Sequence, residues 1–279
     1  MILVGEDLSY KPVDSLYIGE GSINKLVKKA YIGQGGVYKQ CYTPPPIFWN
    51  KMENNLVSEI GGDLSLYGTA SYLPAKFNNG YFEGNNLSYT YLPSINNYLN
   101  GYEWTIEFWI KCNVNNVIAG VSQVVSTAHL ISTGVINSGS GAAPYLTIQQ
   151  TNNTTNKLRV TYSPNSTTPT EQCYIRGANP TIALGDLVFF ALTYDTTASV
   201  NNNLKLYYYN ETSGESAIYT ENLSSTGTKL PANYTSSHVL GNQRVIGLST
   251  AYRPGVIIDN LKIFDYAKTD FSDRFIQGY

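Results

Sequence analysis

The chain has 279 residues, and its 18 basic and 20 acidic side chains leave a formal net charge of -2. Because there is no basic excess to neutralise phosphates, the chain lacks the electrostatic footprint of a nucleic-acid-binding protein, and we expect no nucleic-acid partner. Tyrosine is frequent, with 24 residues, whereas there are only 2 Met. The many aromatic, β-branched and turn-forming residues together favour an all-β fold.

The cysteines and the apolar segments indicate where the chain is made. Cys41, Cys112 and Cys173 are odd in number and far apart, so they predict neither a disulfide framework nor a zinc site. The opening "MILVGEDLSYK" has no secretory signal pattern, and no stretch approaches the roughly 18 continuous apolar residues of a membrane span. We therefore expect synthesis in the cytoplasm and no membrane partner.

A repeat with a step of 14 residues (19 − 5 and 33 − 19) opens the chain, with glycines at Gly5, Gly19 and Gly33. Lysines recur at the same step, at Lys11, Lys25 and Lys39. Each unit predicts a short strand, a glycine-containing turn and a return strand, which together make a β-hairpin.

A hairpin of this size buries too little apolar surface to be stable alone. The units therefore either pack as a small meander against the main domain or form an anchoring arm that completes its core on another protein, and we favour the arm. The segment "TPPPIFW" at residues 43–49 ends the repeat, since a proline run cannot continue a β-ladder. We assign residues 1–46 to the arm and a Pro-rich linker, and residues 47–279 to one larger β domain.

Four later segments have the patterns of strands. In "WTIEFWIKC" (residues 104–112), apolar even-numbered residues alternate with odd-numbered residues such as Glu107 and Lys111, which is typical of a half-buried strand. "LVFFALTYD" (187–195) is almost continuously apolar, and "NLKLYYYN" (203–210) alternates again. "GVIIDNLKIFDY" (255–266) predicts another long strand, followed by a helix start near Thr269.

These segments resemble the laminin-G-like or concanavalin-A-like jelly-roll superfamily. The resemblance rests on "AKFNNGYFEGNNLSYTYLP", "EWTIEFWIK", "LGDLVFFALTYDTTASVNNNLKLYYYN" and "RPGVIIDNLKIFDYAKTDFSDRF", and it covers most of residues 76–275. It implies an all-β, concanavalin-A-like/laminin-G-like jelly-roll β-sandwich, preceded here by the short hairpin-repeat arm.

The hairpin units carry a separate resemblance. "LYIGEGSINKLVKK" and "AYIGQGGVYKQCY" are similar to Tyr-Ile-Gly repeats at the front of structural proteins of tailed bacteriophages. This resemblance implies a virion component, made in the bacterial host cytoplasm, whose residues 1–42 contact other virion proteins. Weak contacts multiplied over many copies suit such a part, so we expect a homo-oligomer.

Catalytic residues are not expected. Jelly-rolls of this superfamily include glycoside hydrolases that place two carboxylates across a sugar-binding groove. Glu103 and Glu107 lie on one side of a strand but are about 13 Å apart at 3.3 Å per residue, beyond the roughly 9.5 Å of an inverting pair. His129 and His238 lie in polar loop sequence without metal-ligand partners. We therefore predict that the protein is not an enzyme.

Asp259 is the candidate metal ligand, because the resemblance implies Ca²⁺ binding through carboxylates and carbonyls at a loop edge. Its strand pattern places it on one face with Ile257, Leu261 and Ile263, where a charge is costly. It either accepts backbone hydrogen bonds or ligates a metal, and we favour the first role, with no cofactor.

Glycan contacts would need exposed aromatic faces beside planar hydrogen-bonding side chains. The candidates are Tyr207 and Tyr209 in "NLKLYYYN", and Tyr252 and Arg253 in "AYRPG". For Tyr207 and Tyr209 we favour the alternative that they pack against the sheet or the arm. Tyr252 and Arg253 precede Pro-Gly and fit an exposed loop.

The sequence therefore predicts a non-enzymatic virion structural protein, anchored by its arm and displaying a glycan-binding jelly-roll. We favour a tail or baseplate appendage that touches host-surface glycans during adsorption. A capsid decoration protein (a head fibre or outer capsid component) that stabilises the shell is the first alternative, and a polysaccharide-degrading enzyme is the second.

Overall fold

The computed structural model describes residues 3–6, 9–12, 17–20, 23–26, 30–34, 37–42, 44–82, 89–91, 98–99, 101–112, 127–133, 146–153, 155–162, 173–174, 183–198, 203–221, 239–240 and 256–278. The chain divides into two compact units, residues 1–46 and residues 47–278. All strand pairs are antiparallel, and the predicted all-β class is confirmed.

The first unit contains three separate two-stranded sheets. Their strands are Leu3–Glu6 (β1) with Ser9–Pro12 (β2), Tyr17–Glu20 (β3) with Ile23–Leu26 (β4), and Ala30–Gln34 (β5) with Val37–Tyr42 (β6). The three predicted hairpins are therefore confirmed.

The hairpins repeat in register as well as in sequence. Three of the paired positions are equivalent, Gly5 with Tyr10, Gly19 with Asn24 and Gly33 with Tyr38. The periodic glycines thus lie within the first strand of each hairpin. The sequence period encodes which residues face each other across each ladder.

The second unit contains a sheet of eight strands and a sheet of seven. Seven strands of the larger sheet run in the order Ser216–Glu221 (β19), Leu204–Asn210 (β18), Leu187–Asp195 (β17), Glu103–Cys112 (β12), Val256–Phe264 (β21), Asn79–Phe82 (β10) and Ser71–Pro74 (β9). The eighth, Phe48–Asn50 (β7), also pairs with β21. The smaller sheet runs in the order Cys173–Tyr174 (β16), Thr155–Tyr162 (β15), Leu146–Asn153 (β14), Thr127–Thr133 (β13), Val239–Leu240 (β20), Tyr89–Tyr91 (β11) and Ser65–Tyr67 (β8).

One face of the eight-stranded sheet, here called the core face, holds the main hydrophobic core. The predicted alternation of β12 is confirmed, since its even-numbered residues from Trp104 to Ile110 are all buried in this cluster. The expectation of a half-buried strand is wrong, because Thr105, Glu107 and Trp109 on the other side are buried as well. β17 keeps the predicted bounds, and alternate residues of β18 are buried, from Leu204 to Asn210. Such alternation buries one side of each strand and leaves the other side for a different neighbour.

A β-bulge interrupts the alternation of β21. Glu107 of β12 pairs with Lys262, but Trp109, two residues further on, pairs with Asp259, three residues back. The extra residue is Asn260, whose φ of 53° lies in the left-handed region that Asn tolerates better than most residues. Trp49 Nε1 donates a 2.7 Å hydrogen bond to Asn260 Oδ1 and so holds the bulge.

Two smaller predictions need correction. The turn of helix expected near Thr269 is a 3₁₀ turn that begins later, at Ser272–Phe275. His129 lies in strand β13 and not in a loop, whereas His238 lies outside the described residues. Within the described part of the chain, no helix has the length and apolar character needed to cross a membrane.

Candidate functional site on the back face of the eight-stranded sheet

The face opposite the core, here called the back face, is covered by the C-terminal segment, residues 266–278. The hydroxyl of Thr105 donates to Tyr266 O at 2.8 Å and accepts from Lys268 N–H at 2.8 Å. Trp109 Nε1 donates to Arg274 O at 2.9 Å. Thr105 and Trp109 are odd-numbered residues of β12, so their side chains point away from the core face. The C-terminal segment therefore lies along the opposite side of this strand.

A buried ionic cluster lies beneath this segment. Glu107 is 2% exposed, and its Oε2 accepts from Lys268 Nζ at 2.8 Å, while Oε1 lies 3.9 Å from Lys262 Nζ. Lys268 Nζ also donates to both oxygens of Asp273, at 2.9 and 2.8 Å. Lys262 Nζ donates to Gly278 O at 2.7 Å. Two ammonium groups and two carboxylates thus tie β12 and β21 to the C-terminal segment.

Burial and charge act in opposite directions on this cluster. Burial raises the pKa of Glu107, and the ammonium groups of Lys268 and Lys262 oppose that rise. Burial also lowers the pKa of Lys262, and Glu107 opposes that change. Burial by itself lowers the pKa of Lys268. The carboxylates of Glu107 and Asp273 have the larger combined effect and raise this pKa above its ordinary value. The buried charges of Glu107, Lys262 and Lys268 are therefore stable only while their partners stay in place.

Glu103 and Glu107 do not form a hydrolytic pair. Both lie on β12, about 13 Å apart along the strand. Glu107 is bound by Lys268 under the C-terminal segment, whereas a general acid or base must reach its substrate. The lack of enzymatic activity stays a prediction.

Asp259 lies on the back face, which corrects the predicted strand pattern. The bulge at Asn260 shifts the alternation, so that Leu261 and Ile263 point into the core while Asp259 sits opposite Trp109. A simple period of two cannot anticipate this change, because one extra residue reverses the faces of everything beyond it.

The Asp259 carboxylate holds the turn between β9 and β10. It is fully buried, and Oδ2 accepts a 2.7 Å hydrogen bond from Phe77 N–H. Burial raises the pKa of Asp259 to about 7, with a further upward effect of Glu53, while the backbone N–H groups of Phe77, Lys76 and Asn260 oppose the rise. Its Oδ1 is buried and accepts no hydrogen bond from the residues that the structure describes.

The described residues around Asp259 do not fit a calcium site. Ca²⁺ takes six to eight oxygen ligands, usually with several carboxylates. The neighbouring carboxylate, Glu53, already accepts from Asn78 Nδ2 at 2.9 Å and from Gln277 Nε2. No group of three His, Cys, Asp or Glu side chains among the described residues could hold a metal ion.

Tyr207 and Tyr209 both lie on the back face and are half-buried. Tyr207 packs against Phe271 with ring centroids 4.5 Å apart. Tyr209 meets Trp109 edge-on at 6.5 Å and Phe275 edge-on at 5.5 Å. Both rings therefore contact the C-terminal segment, and the partner of Tyr209 there, Phe275, is exposed.

An aromatic and cationic surface forms where this segment ends, here called the Arg274 patch (Lys76, Tyr209, Arg274 and Phe275). The Arg274 guanidinium lies 4.4 Å from the ring centroids of both Tyr209 and Phe275. Lys76 Nζ lies 5.1 Å from the Phe275 centroid and pairs with Glu211 at 2.6 Å. Phe275 is 43% exposed. The patch combines an accessible ring with a planar hydrogen-bonding cation.

The structure does not bring all the predicted glycan residues together. Tyr252 and Arg253 lie outside the described residues. Arg274 and Phe275 were missed because "SDRF" was interpreted only as a terminal helical turn. Their signal was the pair of phenylalanines in "DFSDRF", four residues apart, which suggests a segment that folds back onto an apolar face.

Comparison with known proteins bears on the fold. No family model and no curated protein matches the sequence. The solved structure of a Trypanosoma rangeli sialidase in complex with sialic acid is similar to this chain, at 14% identity and a TM-score of 0.52. The alignment covers 99% of this chain and 44% of the sialidase chain. A second structure, the same organism's sialidase with 2,3-difluorosialic acid, has 15% identity and a TM-score of 0.51. The alignment covers 88% of this chain and 35% of that sialidase chain.

A third match is the binding domain of botulinum neurotoxin DC, at 13% identity and a TM-score of 0.47 over 80% of this chain. The chain spans 48% of that structure and 35% of the sialidase bound to 2,3-difluorosialic acid, so less than half of either. Together with the two antiparallel sheets, the sialidase matches show the fold, a jelly-roll or lectin-like β-sandwich.

Proposed function

We propose that this chain is a non-enzymatic structural protein of a tailed-phage virion. Residues 1–42 attach it to other virion proteins, and the β-sandwich binds glycans on the host surface. The protein acts as a tail or baseplate appendage in adsorption, present in many copies so that weak single contacts add up.

The arrangement of the arm is the observation that carries this proposal. Three hairpins share one register, and each pairs only within its own two-stranded sheet among the described strands. An isolated two-stranded hairpin is marginally stable at best in water. Three equivalent hairpins in series match a partner with repeated, equivalent binding surfaces. A regular assembly of identical subunits offers such surfaces.

Binding without catalysis is supported by the back face. Glu107, one of the two carboxylates weighed as a hydrolytic pair, is bound by Lys268 and covered. The exposed edge instead offers the Arg274 patch, an aromatic ring beside planar donors, which suits a sugar. One of the matched sialidase structures holds sialic acid, and we extend saccharide binding to this chain as a proposal.

Truncation of the arm tests the attachment. Particles should be produced with a chain that lacks residues 1–42, and with a chain that lacks only one 14-residue unit (19 − 5) as a graded control. We expect the first chain to be absent from purified particles and the second to be reduced. A chain without residues 1–42 that is still incorporated at the normal level would contradict the proposal.

Folding of the truncated chain can be followed separately. All three tryptophans, Trp49, Trp104 and Trp109, are buried in the sandwich unit. Tryptophan fluorescence should therefore stay blue-shifted in the truncated chain if only attachment is lost. Release of reducing ends from host polysaccharides by the full chain would instead support the alternative of a polysaccharide-degrading enzyme.

A further inference from the structure

We propose that Arg274 binds the carboxylate of an acidic saccharide whose ring lies against Phe275. This inference rests on the proposed glycan binding and specifies the class of glycan. The ligand class is a uronic or nonulosonic acid unit, in which a planar carboxylate projects from a sugar ring.

The Arg274 guanidinium makes cation–π contacts with Tyr209 and Phe275, but its charge is not balanced by an anion within the described part of the chain. No described carboxylate forms an ion pair with it. The adjacent Asp273 binds Lys268 through both oxygens, and Glu211 binds Lys76 through both oxygens. The acidic groups around the patch are thus committed to lysines, and one cation is left over.

Arg274 is held in place before any ligand arrives. Its Nη1 donates to Phe271 O at 2.8 Å, and Trp109 fixes its carbonyl oxygen from below. The guanidinium lies over Tyr209 and Phe275, so cation–π contacts restrain its plane. A guanidinium restrained in this way loses little side-chain freedom when it binds a ligand.

The donors that remain match a carboxylate. Arginine presents five N–H donors in a planar fork, of which Phe271 O takes one. Nε makes no hydrogen bond to a described residue, but it is buried, so the donors left for a ligand are the remaining N–H groups of Nη1 and Nη2. A planar carboxylate can accept two parallel hydrogen bonds from such a fork, which a neutral hydroxyl cannot do.

The rest of the patch suits the sugar ring. Phe275 is 43% exposed and Ile276 is 61% exposed, so an apolar surface continues beside the cation. The C–H face of a pyranose packs well on such an aromatic surface. Lys76 Nζ lies 5.1 Å from the same ring, but its charge is balanced by Glu211, so among the described residues Arg274 is the unpaired cation of the patch.

The experiment measures binding of matched acidic and neutral saccharides to the full chain by titration calorimetry. The probes are sialyllactose against lactose, and trigalacturonic acid against its methyl ester. The second pair removes the negative charges and keeps the sugar ring. We expect each acidic probe to bind at least about tenfold more tightly than its neutral partner, as for a charge-assisted bidentate pair.

Variants assign that preference to Arg274. Arg274→Gln should lose about tenfold in affinity for the acidic probes and leave the neutral probes unchanged. Arg274→Lys keeps the charge without the fork and should fall between Arg274→Gln and the wild type. Lys51→Gln is the control, because Lys51 also makes a cation–π contact but with Trp49 (5.0 Å to the ring centroid) and not with a residue of the patch, and its charge is paired with Glu59 at 3.0 Å. It should bind like the wild type.

Each outcome decides the inference. Equal binding of acidic and neutral probes, or wild-type affinity in Arg274→Gln with unchanged tryptophan fluorescence, would overturn it and leave glycan binding intact. An equal loss in Lys51→Gln would show a general charge effect and would also overturn it. Binding of no saccharide at all would overturn both this inference and the proposed glycan binding.

Discussion

The two faces of the eight-stranded sheet are built from the same strands but by different physical means. On the core face, β12 contributes Trp104 and Phe108, which are buried among other apolar side chains. On the back face the same strand contributes Glu107, buried just as deeply but among charges.

The difference lies in what each face needs from its neighbour. The core face is stabilised by area removed from water, which is not directional and tolerates exchanges of similar volume. The back face has an apolar cluster of its own (Trp109, Phe189, Ala191 and Phe271), but it also depends on specific charged partners from the C-terminal segment. A buried charge without its partner is strongly destabilising. The back face therefore couples the position of residues 266–278, and with it the Arg274 patch, to the strands.

The largest expected effect is on the core face. Phe108→Ala removes a ring that is 1% exposed and lies 6.0 Å from the Phe190 ring, so the free energy of unfolding should fall by about 3–5 kcal/mol. Denaturant unfolding followed by tryptophan fluorescence measures this. Ile218→Ala, at a residue 61% exposed, is the control and should change the value by less than about 0.5 kcal/mol. Equal effects at the two positions would contradict the described core.

On the back face, Glu107→Gln should lower the free energy of unfolding by about 3 kcal/mol. The substitution keeps the size of the side chain but leaves the ammonium groups of Lys268 and Lys262 without their buried carboxylate. A double-mutant cycle with Lys268→Met measures the coupling between the pair. Additive effects in that cycle would show that the pair contributes nothing, against this account.

Acid should stabilise the fold through Asp259. Its folded pKa of about 7 lies above the unfolded value of roughly 3.9, so the folded state binds the proton more tightly between these values. Stability contributed by this group therefore rises as pH falls from about 7 toward 4, by up to about 1.4 kcal/mol per pH unit.

The variant Asp259→Asn isolates this contribution, because burial also raises the pKa of Glu107. The asparagine can still accept from Phe77, so the pH dependence should flatten without loss of the turn. Unfolding curves at pH 5, 6 and 7 are compared, with the exposed Asp270→Asn as control. If wild type and Asp259→Asn keep parallel pH profiles, this role for Asp259 is wrong.

The smallest effect is expected at the edge of the back face. Lys76 and Glu211 form a partly exposed pair, with side chains 14% and 33% exposed, so Lys76→Gln should cost about 0.5–1 kcal/mol. The loss should shrink in 1 M salt, since exposed pairs are screened. Thermal unfolding of Lys76→Gln at low and high salt measures this loss. If it were as large as the loss in Glu107→Gln, the exposed edge pair would be as important as the buried cluster, against this account.

The sequence predicts the strands far better than it predicts the site. The alternation around Phe108 identifies β12 and its faces, because period two is a direct consequence of strand geometry. The 14-residue repeat likewise predicts three hairpins, which the structure shows. Both are local patterns, and local patterns can be read from the chain.

The site depends on pairs far apart in sequence. Lys268 meets Glu107 across 161 residues, and Phe77 meets Asp259 across 182. The bulge at Asn260 also reverses the predicted face of Asp259 relative to Leu261, and nothing in the alternation itself indicates it. Long-range pairing and a single irregular residue thus decide where the charged groups lie.

The central claim is that the opening hairpins are completed by a partner while the β-sandwich projects from the particle. A density map of purified particles that contain this chain tests it most directly. We expect residues 1–42 to lie against neighbouring virion proteins on a tail or baseplate, with the sandwich facing outward. A map in which those hairpins lie in solvent, without contact to another chain, would contradict the account.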